Sequence, residues 1–278
     1  MRKVVRGLGW LLVVFAVVVA QFIVYELWYS DVLTARAQEA AAVELDEILA
    51  TSATQPSIVV AETSTSPQST SASTTTIPPT TTAPPPPTTT PPTTPPPTTK
   101  PEKEIRLYPE EWADDVGGPI GRISIPSVDL DVVLFAGVDT ETLKKGPGAM
   151  PSTSFPGQPG NATISGHRTT YGRPFHDLEE LEPGDEILVE TAVGTHTYAV
   201  RRLFIVPPTG VWVTDEMAGG WLTLTACHPK YSAAQRLIVQ AEMVKGPNAP
   251  LARHLSEIEP PIPRDEEDKP IEIIFGEF

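Results

Sequence analysis

The chain opens with three cations, Arg2, Lys3 and Arg6, and then runs uncharged from Gly7 to Tyr25, rich in Val and Leu. Those nineteen residues, at about 1.5 Å each along a helix, reach roughly 28 Å, the hydrocarbon thickness of a bilayer. Trp10 near one end, and Trp28 and Tyr29 at the other, stand where interfacial aromatics belong. Residues 7–29 are therefore expected to form a transmembrane anchor behind a short N-terminus, residues 1–6. Ala35-Arg36-Ala37 resembles a signal-peptidase site, but it lies far past the apolar run, across Glu26 and Asp31, so the anchor reads as uncleaved. Cations before the span and acids after it place the N-terminus in the cytoplasm and the rest outside the cell membrane.

Beyond the apolar run the pattern changes four times. Residues 30–50 read as a juxtamembrane helix, rich in Ala, Glu and Leu from Thr34 to Ala50, with no chemistry of its own. Residues 51–104 read as a linker, and between 80 and 99 it contains only Thr, Pro and one Ala. That composition buries no apolar surface and favours extended polyproline II, so about 50 residues at ~3.1 Å each would hold a domain up to roughly 150 Å from the membrane. From 105 to 245 the apolar runs become short, β-branched and bounded by Gly and Pro. Strands are expected at Arg122–Ile125, Leu130–Phe135, Ala162–Ser165, Glu186–Thr191, Thr195–Val206, Trp221–Cys227 and Leu237–Val244. Helical turns are expected only at Glu141–Lys145 and Arg173–Glu180. Seven or eight short strands with turns between them predict an all-β barrel or sandwich. Residues 246–278, with six prolines and the acidic block Asp265-Glu266-Glu267-Asp268, read as a mostly extended tail, of which Ile271–Phe278 is the part able to pack back as a strand.

Charge and cysteine content narrow the chemistry. Twenty Lys and Arg against 35 Asp and Glu give a net charge of −15, which excludes nucleic acid as a partner. One cysteine excludes an intrachain disulfide framework and a cysteine-based zinc cluster, and no metal or organic cofactor is expected. A lone cysteine is most simply a small buried hydrophobe. Cys227 differs in position: it ends an apolar strand, Trp221 to Ala226, and His228-Pro229 stops that strand from continuing. A thiol at a strand end is reachable from a cleft, and as a nucleophile it needs a nearby base or cation.

Five histidines could supply the base. His254 falls in the tail and His196 sits in a strand among polar neighbours, so both read as solvated surface, and His176 looks like helix surface. His228 neighbours Cys227 in sequence and so points to the opposite face of a strand. His167 follows Ile164-Ser165-Gly166 at the end of a second strand, which makes it the candidate general acid and base. Arg236 opens the strand after Cys227, where a guanidinium would favour the thiolate and offer donors to an oxyanion. Asn161-Ala162-Thr163 is formally a glycosylation sequon, but it leads into an expected core strand and carries no weight.

These residues also carry a resemblance. Thr223-Leu224-Thr225-Ala226-Cys227 followed by Arg236-Leu237-Ile238-Val239 resembles the Thr-Leu-x-Thr-Cys signature and downstream Arg of the sortases. The run from Arg122-Ile123-Ser124-Ile125-Pro126 through Gly146-Pro147-Gly148 to Gly160–Arg168 resembles the front half of that family. His167-Arg168-Thr169-Thr170-Tyr171-Gly172, taken with Cys227-His228-Pro229, is most similar to the class E sortases of high-GC Gram-positive bacteria. The similarity covers about residues 118–245. Two positions depart from it: Ala226, where many sortases have Thr, and Ala149, where the family often has His. Both bear on substrate preference rather than on the reaction.

The resemblance implies an eight-stranded sortase β-barrel and a cysteine transpeptidase. In it Cys227 is the nucleophile, His167 the general acid and base, and Arg236 the oxyanion stabiliser, with Thr225, Tyr171 and Tyr231 as candidate substrate contacts. It further implies exported client proteins bearing a C-terminal sorting motif, Leu-Ala-x-Thr-Gly rather than Leu-Pro-x-Thr-Gly. The thioacyl enzyme would pass the client to an amine of a peptidoglycan precursor or a pilin. The residues alone leave other readings open. A papain-like hydrolase would place Cys before His, the reverse of this chain. An L,D-transpeptidase would carry Ser-His-Gly-Cys, which is missing. A catalytically inactive wall-spanning interaction module would keep Cys227 buried and inert.

Overall fold

The computed structural model describes residues 2–52, 112, 114–258 and 270–276. Most of the linker expected at 51–104 lies outside the described residues, as does the acidic block of the tail. Helix α1 runs from Arg2 to Ser52. The strands are β1 (Pro119–Ile125), β2 (Leu130–Ala136), β3 (Gly148–Ala149), β4 (Gly160–Ser165), β5 (Glu186–Thr191), β6 (Gly194–Val206), β7 (Gly220–His228), β8 (Gln235–Lys245) and β9 (Glu272–Phe275). A short helix, α2 (Thr140–Lys145), joins β2 to β3, and α3 (Ala249–Ile258) follows β8.

The sheet order is β5-β1-β2-β3-β4-β7-β8-β6-β9, and β5 also pairs with β6. That extra pairing closes the first eight strands into a barrel and leaves β9 as an added strand on β6. All seven expected strands are present, with ends moved by a few residues. The two-residue β3 was not anticipated, because two residues carry no periodic signal. Arg173–Glu180 forms turns and a single 3-10 turn at Leu178–Glu180 rather than an α-helical segment.

Alternation fixes which side of each strand is core. On β7, Leu222, Leu224 and Ala226 face the barrel interior with Ile164, Leu237, Val239 and Ala241. The odd-numbered residues of β7 therefore face outward: Trp221, Thr223, Thr225 and Cys227. The lower part of this outer face is not bare. Trp212 and Val213 cover Phe204, Val206 and Ile238 there as a second small core. Asn161, Thr223 and Gln240 are fully buried beneath the same cover. Asn161 Nδ2 donates to the carbonyls of Val213 (3.0 Å) and Asp215 (2.8 Å), and its Oδ1 accepts from Thr223 Oγ1 (2.8 Å). The sequon is thus sealed and already satisfied, so in the folded chain it is no glycosylation site.

Three expectations are corrected. First, the segment 30–50 continues the N-terminal helix and packs on the barrel. Asp31, Thr34, Gln38, Ala41 and Leu45 recur at spacings of three and four, one face of a helix. Ala41 and Leu45 bury against Val133 and Phe135 on the outside of β2. Gln38 Oε1 accepts from Val133 N–H at 2.7 Å, and its Nε2 donates to the carbonyls of Val133 (3.1 Å) and Lys145 (2.9 Å). The amide thereby completes a stretch of β2 edge that β3 is too short to cover. Because residues 31–49 ride on the barrel, the length of the linker does not set the barrel's distance from the N-terminal helix. Secondly, the tail does not simply extend from Gly246. Asn248, Ala249 and Ala252 are buried as α3 folds back over β7 and β8, and Glu272–Phe275 adds to β6. Thirdly, His196 is not solvated surface; it is fully buried. Among the described residues no helix is long and apolar enough to cross a membrane, so a transmembrane helix is not shown.

Candidate active site

β4 and β7 are parallel neighbours in the register Thr163↔Thr223, Ile164↔Leu224, Ser165↔Thr225. Two residues past the last pair stand His167 and Cys227, on the outward parity of each strand. β8 flanks β7 on the other side, antiparallel, and there Cys227 is paired directly with Arg236. Neighbouring strands lie about 4.8 Å apart, and directly opposed side chains share a face. The three residues therefore stand at one level on three adjacent strands, on the outer wall of the barrel above the sealed Asn161 cluster. Thr225 lies on the same face one step below Cys227.

Local chemistry shapes each position. A Cβ on Gly166 would meet the Phe175 ring at 2.5 Å, so only glycine lets that ring close under the His167 backbone. Phe175 N–H then bonds the His167 carbonyl at 3.1 Å, and Gly166 N–H bonds the Thr225 carbonyl at 3.2 Å, tying the two strand ends together. The Tyr171 ring leans on the His167 ring with centroids 4.9 Å apart. Burial holds the His167 pKa below the ordinary imidazole value, because the charged form loses solvent there. Cys227 is half-buried and free of any disulfide. The Arg236 guanidinium is fixed through Nη1, which donates to the carbonyls of Ala233 (3.1 Å) and Gln235 (2.9 Å). Tyr231, in the β7–β8 connection, is 83% exposed.

One further residue, beside His167 in sequence, shapes the site. Arg168 is 3% exposed. Its Nη1 donates to the Cys227 carbonyl (3.1 Å) and to His228 Nδ1 (2.9 Å), and its Nη2 pairs with Glu179 at 2.8 Å. Lys230 joins Glu179 (2.7 Å) and Asp177 (3.1 Å) at the rim. Since a guanidinium only donates, His228 Nδ1 is the acceptor and the ring is the neutral Nε2–H tautomer. Burial, and then the Arg168 charge, lower the His228 pKa accordingly. Burial opposes ionisation of Glu179, but the bonds from Lys230 and Arg168 outweigh it and its pKa falls. The network clamps the backbone immediately after the thiol. In sequence the only signal was an arginine next to the candidate histidine, and burial of an arginine is not legible there.

The Sortase domain model matches residues 123–244, from β1 to the end of β8. A crystal structure of sortase E1 from Streptomyces coelicolor is 30% identical, covering 46% of this chain and 90% of that one, with a TM-score of 0.44. A mutant sortase E from Streptomyces avermitilis is 34% identical over 47% of this chain and 90% of its own, with a TM-score of 0.43. The barrel, residues 123–244, carries a Sortase domain. Sortase SrtE1 of Streptomyces coelicolor is 29% identical over 164 residues, 49% of this chain. The chain spans 46% of the length of that sortase and 69% of SrtE2 from the same organism.

The two departures from the sortase pattern acquire a different meaning in the fold. Ala226 and Ala149 are 2% and 1% exposed and belong to the barrel core. Neither side chain faces the cleft, so they adjust core volume and do not touch a substrate lying on the outer wall.

Proposed function

We propose that this sortase is a membrane-anchored cysteine transpeptidase, with Cys227 as nucleophile, His167 as general acid and base, and Arg236 as oxyanion stabiliser. The supporting observation is the convergence of these three side chains at one level of the β4-β7-β8 wall. The Cys227 thiolate adds to the Thr–Gly carbonyl of a sorting motif. Negative charge moves to the carbonyl oxygen, which the Arg236 donors not held by Ala233 and Gln235 receive. When the C–N bond breaks, the His167 imidazolium gives its proton to the departing glycine amine, leaving a thioester and a neutral imidazole. An acceptor amine then attacks the thioester, His167 takes its proton, and the thiolate leaves. Burial favours the neutral imidazole, the form the second half-reaction needs as base.

The acceptor is an amine of a peptidoglycan precursor or a pilin subunit, and the preferred motif is Leu-Ala-x-Thr-Gly. The sortase E1 relative, solved with a tripeptide in its active site, supports a peptide ligand. Anchoring by residues 7–29, with the barrel outside the cell, rests on the uncharged run of the sequence. It is supported by the exposure of Leu8, Trp10, Leu11, Phe15 and Phe22 along α1. Full-length protein in detergent, offered matched Leu-Ala-x-Thr-Gly and Leu-Pro-x-Thr-Gly peptides with an amine acceptor, tests the reading. Cleavage between Thr and Gly, faster for the Ala peptide, is expected. A preference for proline would refute the motif assignment, and no cleavage of either would refute the reaction.

A further inference from the structure

The loop that follows His167 is held from two sides. Tyr171 (φ 52°), Gly172 (φ 71°) and Arg173 (φ 50°) are three consecutive residues with left-handed backbone, two of them bearing a Cβ. Such a run persists only where the surroundings over-determine it. On the barrel side, Arg173 N–H bonds the Thr170 carbonyl and Phe175 N–H the His167 carbonyl, both at 3.1 Å. On the other side stands α1. Asp31 Oδ1 accepts the Gly172 N–H at 3.0 Å. Thr34 Cγ2 lies where a Cβ on Gly172 would approach it to 3.0 Å, and Thr34 Oγ1 donates to the Lys144 carbonyl at 2.7 Å. Gln38, Ala41 and Leu45 fasten the next turns to β2 and α2. Asp31 is thus a fixed point on a docked helix, not a free surface acid meeting a loop by chance.

The connection continues to the chemistry. Gly172 follows Tyr171, whose ring packs on the ring of His167. We propose that α1 is a positioning element of the active site: Asp31 sets the Tyr171–Arg173 turn through the Gly172 amide, and Tyr171 sets the orientation of the His167 ring. The proposal deepens the transpeptidase reading and rests on it for its effect on rate. It also changes the role of the segment after the apolar run. Asp31 stands six residues beyond Tyr25, about 9 Å along a helix. The helix leaving the proposed anchor therefore reaches the catalytic loop within two turns.

The test compares full-length wild type, Asp31→Ala and Asp31→Asn in detergent micelles by steady-state cleavage of a Leu-Ala-x-Thr-Gly peptide and by hydrogen exchange of segment 166–175. Asp31→Ala is expected to lower kcat about tenfold, the scale of one lost hydrogen bond to a charged group, with KM changed less than about twofold. Exchange should quicken across 166–175 and stay unchanged in β4, β7 and β8. Asp31→Asn keeps an oxygen that accepts the same N–H and should restore both readouts. Wild-type exchange and kcat in Asp31→Ala would overturn the proposal, as would failure of Asp31→Asn to rescue. If the wild type cleaves no peptide, the reaction assignment fails instead, and hydrogen exchange still decides the brace on its own.

Discussion

The barrel carries a buried histidine at one end and a half-open one at the other, and the two resolve the same desolvation differently. His196 lies near the start of β4, enclosed by Gly157, Gly246 and Asn248. Its Nδ1–H donates to the Gly194 carbonyl at 3.2 Å and its Nε2 accepts from Asn248 N–H at 3.4 Å. Asn248 Nδ2 in turn donates to the Gly157 carbonyl at 2.8 Å, and Gly157 N–H donates to the Tyr198 hydroxyl at 2.9 Å. Every polar atom of the His196 ring has a partner, and burial pushes its pKa down to about 4. At the other end of β4, His167 is also desolvated, but its Nδ1 has only a 3.4 Å approach to Thr170 Oγ1. It stands beside a thiol and a guanidinium on the outer wall. A satisfied imidazole in a closed pocket holds structure together. The His167 ring, with one long approach at Nδ1 and a free thiol on the neighbouring strand, is placed to move protons in the proposed reaction.

Substitutions at the two ends should therefore separate rate from stability. Cys227→Ala and His167→Ala, at the open end, are expected to cut peptide cleavage by about 10³-fold or more, since residues that act as a unit fail together. Their melting temperatures should stay near wild type, which scanning calorimetry checks. Arg236→Ala is expected to cost about 10²–10³ in kcat, the scale of one removed oxyanion donor. Arg168→Met removes one of the two cations that partner the half-buried Glu179. Urea unfolding should show a loss of about 3 kcal/mol, at the lower end for a broken buried pair because Lys230 still partners the carboxylate.

At the closed end the effect is one of pH. Between about pH 6.5 and 4 the unfolded chain binds a proton that the His196 pocket refuses, so stability falls as pH falls through that window and levels off below it. Over the whole window the loss attributable to His196 is about 3 kcal/mol. A His196→Gln variant should lose that slope while keeping cleavage activity at neutral pH. An unchanged slope would put the acid sensitivity elsewhere. The smallest effect concerns Ala226→Thr, which restores the commoner sortase residue. Because position 226 faces the core, overpacking should cost about 1–3 kcal/mol with little change in kcat/KM. A large change in peptide preference would contradict its assignment to the core.

Much of this was legible in the residues. Period-two alternation and Gly-Pro punctuation marked seven of the nine strands, because half-buried strands must alternate. The shared level of Cys227, His167 and Arg236 was legible because each stands at or just past a strand end. What stayed hidden depended on long-range packing. The polar neighbours of His196 in sequence gave no sign that Asn248, 52 residues on, closes its pocket. The burial of Arg168 was not legible, because its carboxylate partner, Glu179, is reached only after a turn. Most of all, α1 looked like a passive connector. Its apolar stripe is thin, the buried Ala41 and Leu45 flanked by the partly buried Ala42 and Leu49, and polar contacts of Asp31, Thr34 and Gln38 with backbone add to its grip. A periodicity argument counts apolar residues and misses a helix docked by hydrogen bonds.

In the proposed reaction Cys227 carries the client as a thioester between the two half-reactions. Intact-mass spectrometry of the full-length chain, quenched in acid soon after mixing with a Leu-Ala-x-Thr-Gly peptide in the absence of acceptor amine, reads this directly. The expected product is an adduct equal to the peptide up to its Thr residue, localised to Cys227, discharged by added amine and absent from Cys227→Ala. Cleavage between Thr and Gly that proceeds in Cys227→Ala, or an adduct on any other residue, would contradict it.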